Sequence, residues 1–252
     1  MSLDGRVALV TGGSRGIGRA IAIGLAEDGA RVAVNYRKAE EAAAGVVTEI
    51  EQKGGRAAAY QASVASYDES QAMVERVLAD FGHVDILVNN AGISNRGGTV
   101  ATTTLDDLER VMDTIALGSH HLSQLVLASM REQPRGDIIM ISSQSAVSTD
   151  PHAGPYNMAK AAQEALAFTL AKEEARNGIR VNVVVPGLSN TDLGRRLAKG
   201  MGVEDIHDLN PRFPLGRVCE PEDVADAVRF LVSARAEIMT GQRLVVDSGG
   251  FR

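Results

Sequence analysis

The sequence contains few of the residues that form covalent or aromatic frameworks. Its 252 residues include one cysteine, Cys219, no tryptophan, seven prolines and 4% aromatic residues. A single cysteine cannot form an intramolecular disulfide, so a hydrophobic core rather than a disulfide network must hold the fold. The few aromatic side chains leave little flat stacking surface, which disfavours bulky ring-shaped substrates.

Long hydrophobic runs and blocks of like charge are also missing. No stretch of eighteen or more apolar residues is present, which excludes a membrane-spanning helix. The first predicted strand begins at Val7, which leaves no room for a cleavable signal segment. The 32 acidic and 26 basic residues are dispersed and give a net charge of −6. We therefore expect a cytoplasmic protein that binds neither a membrane nor nucleic acid.

Short apolar runs alternate with segments of helical periodicity along the whole chain. The runs are continuous rather than alternating, which is typical of strands buried on both faces of a parallel sheet. They lie at residues 7–10, 32–34, 57–60, 86–88, 138–141, 181–185 and 244–246. The pattern predicts an α/β fold: a single Rossmann-type doubly wound domain over residues 1–252, with a seven-stranded parallel sheet and helices on both faces.

The least regular part of the chain is residues 189–218, which contain four glycines and two prolines. A long irregular segment in a compact domain is often a lid or a binding loop. We therefore predict a substrate loop at residues 189–218.

A glycine-rich turn follows the first predicted strand. Gly12, Gly16 and Gly18 precede a predicted helix at residues 19–28. Glycines let the backbone approach a pyrophosphate, and the amides at a helix start bind anions. The turn therefore predicts nucleotide binding, although its glycine spacing differs from the commonest dinucleotide fingerprint. The alternative is a tight turn between strand and helix with no ligand.

The end of the second predicted strand indicates which dinucleotide binds. An acidic residue about twenty residues after the glycine turn would hold the adenosine ribose and repel a 2′-phosphate. This chain has Tyr36 and Arg37 there, and Arg15 lies in the glycine turn. Two guanidinium groups suit a phosphate, so we predict NADP(H) over NAD(H). The alternative leaves both arginines in solvent.

Tyr156 and Lys160 are four residues apart in a predicted helix and therefore share one face. A phenol titrates near ~10, and an adjacent cation favours its phenolate. Ser143, thirteen residues before Tyr156, could hydrogen bond the same substrate oxygen. The three groups indicate proton transfer to a carbonyl; the alternative is a solvated surface pair.

These motifs together resemble the short-chain dehydrogenase/reductase family over essentially the whole chain. The markers are the glycine turn at 11–18, the Asn-Asn-Ala-Gly sequence at 89–92, the spacing of Ser143, Tyr156 and Lys160, the Pro-Gly pair at 186–187 and the tail from 214 to 247. The resemblance implies that Tyr156 is the general acid in ketone reduction. It further implies that Lys160 lowers the pKa of Tyr156 and bonds the nicotinamide ribose, while Ser143 orients the carbonyl.

The glycine turn, the end of the second predicted strand and the family resemblance together give a set of cofactor contacts. These are Gly12, Ser14, Arg15, Gly16, Ile17, Gly18, Tyr36, Arg37, Ser63, Val64, Asn90, Ala91, Gly92, Tyr156, Lys160, Pro186, Gly187, Ser189 and Thr191. No metal site is expected, because the adjacent His120 and His121 point apart on a helix and no ligand cluster accompanies them.

Three positions depart from the family pattern, of which Ser248, in place of the first glycine of the pair after the final aspartate, implies little. Ile115 stands where the family usually has an asparagine that holds a water near the lysine, and an isoleucine side chain cannot hydrogen bond. Ser63 stands where an aspartate near the adenine is usual. The departure at Ile115 leaves the route of the proton open.

The expected function is NADPH-dependent reduction of a ketone to a secondary alcohol, with 3-oxoacyl thioesters among the candidates. An NAD(P)-dependent alcohol, polyol or steroid dehydrogenase is the alternative enzyme. A dinucleotide-binding protein with weak catalysis is the non-enzymatic alternative, motivated by Ile115. The resemblance also implies a homotetramer or homodimer formed through the helices that flank the site, which are predicted at residues 105–130 and 156–176.

Overall fold

The structure is a computed structural model that describes residues 2–250. Within them, seven strands form one sheet in which every neighbouring pair is parallel. The strands are β1 (Val7–Val10), β2 (Arg31–Tyr36), β3 (Arg56–Gln61), β4 (Ile86–Asn89), β5 (Gly136–Ile141), β6 (Ile179–Pro186) and β7 (Arg243–Val246). Their order is β3-β2-β1-β4-β5-β6-β7, which confirms the predicted doubly wound sheet.

Helices connect the strands and cover both faces of the sheet. They are α1 (Gly16–Glu27), α2 (Glu40–Gln52), α3 (Tyr67–Phe81), α4 (Leu105–Met112), α5 (Gly118–Arg131), α6 (Ser145–Ser148), α7 (Gly154–Glu174), α8 (Asp192–Gly200) and α9 (Pro221–Val232). Side-chain caps begin several of them: Ser66 accepts from the Glu69 amide, and Thr104 accepts from the Asp107 amide.

The core has two layers, one on each face of the sheet. Along β1, Ala8 and Val10 join a cluster with residues of α1, α2 and α9. Val7 and Leu9 join the opposite cluster, with residues of α3, α5 and α7. Because every side chain of β1 is buried, its sequence is continuously apolar rather than alternating.

The order of the sheet reverses direction between β1 and β4. The chain moves outward from β1 to β2 and β3, and then returns to β4 on the other side of β1. The connections therefore separate at the carboxyl ends of β1 and β4, where open α/β sheets form a crevice for ligands.

Two segments differ from their expected form. The predicted continuous helix after residue 105 is interrupted by a π-helical turn, Asp113–Leu117, between α4 and α5. Residues 189–218 contain α8 and a 3₁₀ helix, Ile206–Arg212, with a small apolar cluster of their own. Thr191 caps the start of α8 by accepting a hydrogen bond from the Gly194 amide. The helix was not predicted because the glycines and prolines of this segment are typical of a loop.

None of the helices within residues 2–250 has both the length and the apolar character needed to cross a membrane.

Asp137 lies at the start of β5, at the end of the strands opposite the crevice, and three arginines surround its carboxylate. Its carboxylate is 1% exposed and accepts from Arg6 Nη2 at 2.8 Å, from Arg135 Nε at 3.1 Å and from Arg180. Arg180 is itself buried, so the carboxylate compensates a cation that water cannot reach.

We expect Asp137→Asn to lower the free energy of unfolding by about 3–5 kcal/mol, because it leaves Arg180 buried without its counter-ion. Urea denaturation measures the loss. Asp106→Asn is the matched control: its carboxylate, 74% exposed, pairs with Arg96, and its removal should cost at most about 1 kcal/mol. Equal losses in the two variants would contradict the account.

Candidate active site

The loops that follow β1 and β4 are tied together at the crevice. Thr11 Oγ1 accepts from the amides of Asn90 and Ala91, each at 2.9 Å. Asn90 Nδ2 returns a hydrogen bond to the Thr11 carbonyl at 2.8 Å. These hydrogen bonds hold the glycine turn and the Asn-Asn-Ala-Gly sequence together, and the two segments form the floor of the crevice.

The glycine turn has the shape of a phosphate cradle. Gly12 and Gly16 have φ angles of 59° and 53°, a left-handed region that favours glycine. A Cβ on Gly18 would lie 2.3 Å from the Gly12 carbonyl oxygen and 2.5 Å from Asn90 Nδ2. Among the described residues, no side chain caps the start of α1. Its first amides can therefore bind a pyrophosphate, so the site fits a dinucleotide.

A cavity of ≈ 930 Å³ opens above this floor. It brings together most of the predicted cofactor contacts. Those in its lining are Gly12, Ser14, Arg15, Gly16, Ile17, Gly18, Tyr36, Arg37, Ser63, Asn90, Ala91, Gly92 and Thr191.

The other predicted contacts lie around the cavity rather than in its lining. Val64 is buried against Gly118 at the start of α5. Pro186 ends β6, the Gly187 amide donates to the Val246 carbonyl at 2.9 Å, and Ser189 Oγ donates to the Gly187 carbonyl at 3.1 Å. Tyr156 and Lys160 are also outside the lining, and Tyr156 packs in one apolar cluster with Ile93, which lines the cavity.

The cavity also has polar residues that the sequence reasoning missed. Arg110 and Thr114 approach from α4 and the π-helical turn, and Asn190, Arg195 and Arg196 approach from the segment around α8. Arg110 Nη2 donates to the Ser94 carbonyl at 2.9 Å, which ties α4 to the loop after β4. No local motif marks these residues; only the folded arrangement brings them to the cavity.

Ser143 and Tyr156 interact through their hydroxyl groups, and this interaction lowers the pKa of the phenol. Ser143 Oγ also accepts from the Ser145 amide at 3.2 Å, which fixes its position at the start of α6. The neighbouring Ser142 points elsewhere, because its Oγ donates to Glu164 Oε1 at 2.6 Å.

Lys160 lies beneath Tyr156 and is 3% exposed. Its Nζ is 5.8 Å from the centre of the Tyr156 ring. The ammonium donates to the Ile141 carbonyl at 2.5 Å and to Gln163 Oε1 at 3.0 Å. Burial lowers the pKa of Lys160 to about 7, opposed by the negative charge of Glu164.

The expectation that Lys160 lowers the pKa of Tyr156 stays a prediction, since the influences that act on the phenol in this structure are burial and Ser143. Burial raises the pKa of the Tyr156 phenol, and the hydrogen bond with Ser143 is the influence that lowers it.

Two of the three departures from the family pattern lie close to the cavity. Ile115 is fully buried in the π-helical turn and packs with Val111, Ala159 and Tyr156. Its side chain thus helps to exclude water from the Tyr156 ring, and its polar groups are those of the backbone. Ser63 lines the cavity, and its amide donates to Glu69 Oε2 at 2.8 Å.

Comparison with known proteins agrees with this geometry. Residues 12–250 match the family model described as "Enoyl-(Acyl carrier protein) reductase". A 3-oxoacyl-[acyl-carrier-protein] reductase of Synechocystis is 39% identical over 249 residues, 98% of each chain. A short chain dehydrogenase from Burkholderia cenocepacia, solved in complex with NADP, is 37% identical with a TM-score of 0.90, and the match covers 99% of each chain.

A third protein shows that similar folds accept the other dinucleotide. A 7α-hydroxysteroid dehydrogenase, solved with NADH and 7-oxo glycochenodeoxycholic acid, is 35% identical with a TM-score of 0.91. The match covers 99% of this chain and 95% of that one.

We expect Gly18→Ala to weaken NADPH binding at least about tenfold, or about 1.4 kcal/mol, because the new Cβ collides with the floor of the cradle. Fluorescence titration gives the Kd. Gly45→Ala is the matched control, since Gly45 lies on the exposed face of α2 with no atom within 4 Å of an added Cβ. An unchanged Kd in folded Gly18→Ala protein would refute the cradle.

Proposed function

Because this chain belongs to the short-chain dehydrogenase/reductase family, whose members are oxidoreductases that bind a nicotinamide dinucleotide, we propose that it reduces a ketone to a secondary alcohol with NADPH. The observation that carries the proposal is that Tyr156 interacts with both Ser143 and Lys160 and packs with Ile93, a residue that lines the dinucleotide cavity. A phenol, a hydroxyl and an ammonium together can bind a carbonyl oxygen and give it a proton.

Each group has one role in the proposed reaction. A bound reduced dinucleotide supplies hydride to the carbonyl carbon. Ser143 donates a hydrogen bond that orients the carbonyl, and Tyr156 gives its phenolic proton to the developing alkoxide. Lys160 stabilises the phenolate that remains on Tyr156. The apolar cluster of Ile93, Ile115 and Ala159 excludes water from this transfer.

The preference for NADP(H) over NAD(H) is supported by two arginines. Arg37 is exposed at the mouth of the cavity, directly after the end of β2, and forms no ion pair within residues 2–250. Arg15 pairs with Asp192 at 3.6 Å, and because both side chains are about half or more exposed, the pair is weak enough to yield to a phosphate. Tyr36, in place of an acidic residue, does not repel that phosphate.

The substrate class is proposed from the relatives. The Synechocystis relative is a 3-oxoacyl-[acyl-carrier-protein] reductase, so 3-oxoacyl thioesters are the first candidates. Dehydrogenation of an alcohol or steroid is the second candidate reaction, because one structural neighbour is a hydroxysteroid dehydrogenase and the same groups can catalyse the reaction in reverse.

We propose that the chain works as a single domain over residues 1–252, in the cytoplasm, and as a homotetramer or homodimer. Support for an oligomer comes from apolar side chains exposed on the helices that flank the site: Leu105 of α4 is 67% exposed and Met158 of α7 is 54% exposed.

Tyr156→Phe should slow NADPH-dependent ketone reduction by about 10²–10⁴-fold, because the proton donor is removed. The Kd for NADPH should stay within about twofold of the unmodified protein. Steady-state NADPH oxidation over a ketone panel that includes 3-oxoacyl thioesters and oxosteroids measures the rate. Tyr67→Phe, at an exposed tyrosine of α3, is the control and should retain full activity. Tight NADPH binding without turnover on any ketone would instead favour the non-enzymatic binding protein.

Arg37→Asp should weaken NADPH binding about tenfold or more and leave NADH binding unchanged or stronger, since a carboxylate repels the 2′-phosphate and can hold a ribose hydroxyl. The ratio of the two Kd values is the measurement. Arg176→Asp makes the same charge change at an exposed position after α7 and should not alter the ratio. A ratio unchanged by Arg37→Asp would overturn the assignment of NADP(H).

A further inference from the structure

Gln163 is a fully buried amide on α7, one turn after Lys160. Its Oε1 accepts from Lys160 Nζ at 3.0 Å, and its Nε2 donates to Ser119 Oγ at 2.8 Å. Ser119 Oγ in turn donates to the Ile115 carbonyl at 2.6 Å. The residues form a continuous chain of hydrogen bonds from Lys160 to the π-helical turn.

The direction of these bonds fixes the orientation of the amide. Ser119 uses its only hydroxyl proton for Ile115, so it can only accept from Gln163. The Nε2 group must therefore face Ser119, and the Oε1 group must face Lys160. A buried amide is costly unless its polar atoms are bonded, and here each one is.

The direct hydrogen-bond acceptors of Lys160 carry no charge. They are the Ile141 carbonyl of β5 and the amide of Gln163. Glu164 is the charged group that acts on Lys160. Its carboxylate is engaged by Ser142 and by Arg243 of β7, whose Nε lies 3.1 Å from Glu164 Oε2. Tyr156 is the titratable neighbour on the other side.

We propose that Gln163 is a positioning residue for Lys160: its amide oxygen holds the ammonium beneath Tyr156, and Ser119 orients that amide. This inference rests on the proposed function, in which Lys160 stabilises the Tyr156 phenolate. Because Oε1 is bonded to the charged form of Lys160, it favours that form against the cost of burial.

The test is to titrate Lys160 directly in the full-length, cofactor-free protein. Nuclear magnetic resonance of ¹³C-labelled lysine follows each side chain, and Lys160→Met identifies the signal. Gln163→Met keeps the length of the side chain and removes the acceptor, so the proton affinity of Lys160 should fall about tenfold. Gln163→Glu keeps an acceptor oxygen and adds a negative charge, so the proton affinity should rise about tenfold.

Three further variants complete the design. Ser119→Ala removes only the group that orients Gln163, and it should lower the proton affinity of Lys160 by less than Gln163→Met does. Gln71→Met and Gln71→Glu make the same changes on the exposed face of α3 and should leave the titration unchanged. A Lys160 titration that is the same in both Gln163 variants as in the unmodified protein would overturn the proposal.

Kinetics separate this inference from the proposed function. In Gln163→Met the pH dependence of kcat should shift in the same direction as the Lys160 titration, with a KM for ketone near that of the unmodified protein. Should Tyr156→Phe retain full turnover, the proposed function fails. The titration in the cofactor-free protein would still decide whether Gln163 holds Lys160.

Discussion

Lys160 carries an ammonium into a region that water does not reach, and much of the surrounding structure serves to keep it there. Removing a cation from water favours its neutral form, which is why the pKa of Lys160 falls to about 7. The Ile141 carbonyl and the Gln163 amide offset part of that cost. The result is a group that can change its charge near neutral pH directly beneath a phenol.

The fold brings these groups together from distant parts of the sequence. β5 ends beside Ser143, α7 carries Tyr156 and Lys160 on one face, and the π-helical turn places Ile115 against the Tyr156 ring. Gly118 follows that turn directly, and an added Cβ there would lie 2.8 Å from the Val64 carbonyl oxygen. Close packing between the start of α5 and the segment after β3 thus accompanies the irregular helix that borders the site.

Much of this arrangement follows from local sequence. Continuous apolar runs predicted all seven strands because parallel strands are buried on both faces, and the glycine turn predicted the cradle because only glycine avoids the collisions at Gly18. The π-helical turn and the helix α8 were missed, since both depend on contacts rather than on composition. Gln163 was detectable in principle, being three residues from Lys160 on the same helical face. Its partner Ser119 is forty-four residues away, so only the folded chain reveals the link.

The proposed reaction depends on one group: the Tyr156 hydroxyl must be the one that protonates the substrate. The most direct test is a crystal structure of the protein with oxidised dinucleotide and the secondary alcohol product. The account predicts that the product oxygen lies within about 3 Å of both the Tyr156 hydroxyl and Ser143 Oγ. A product oxygen bound to other groups, with Tyr156 out of hydrogen-bond reach, would contradict it.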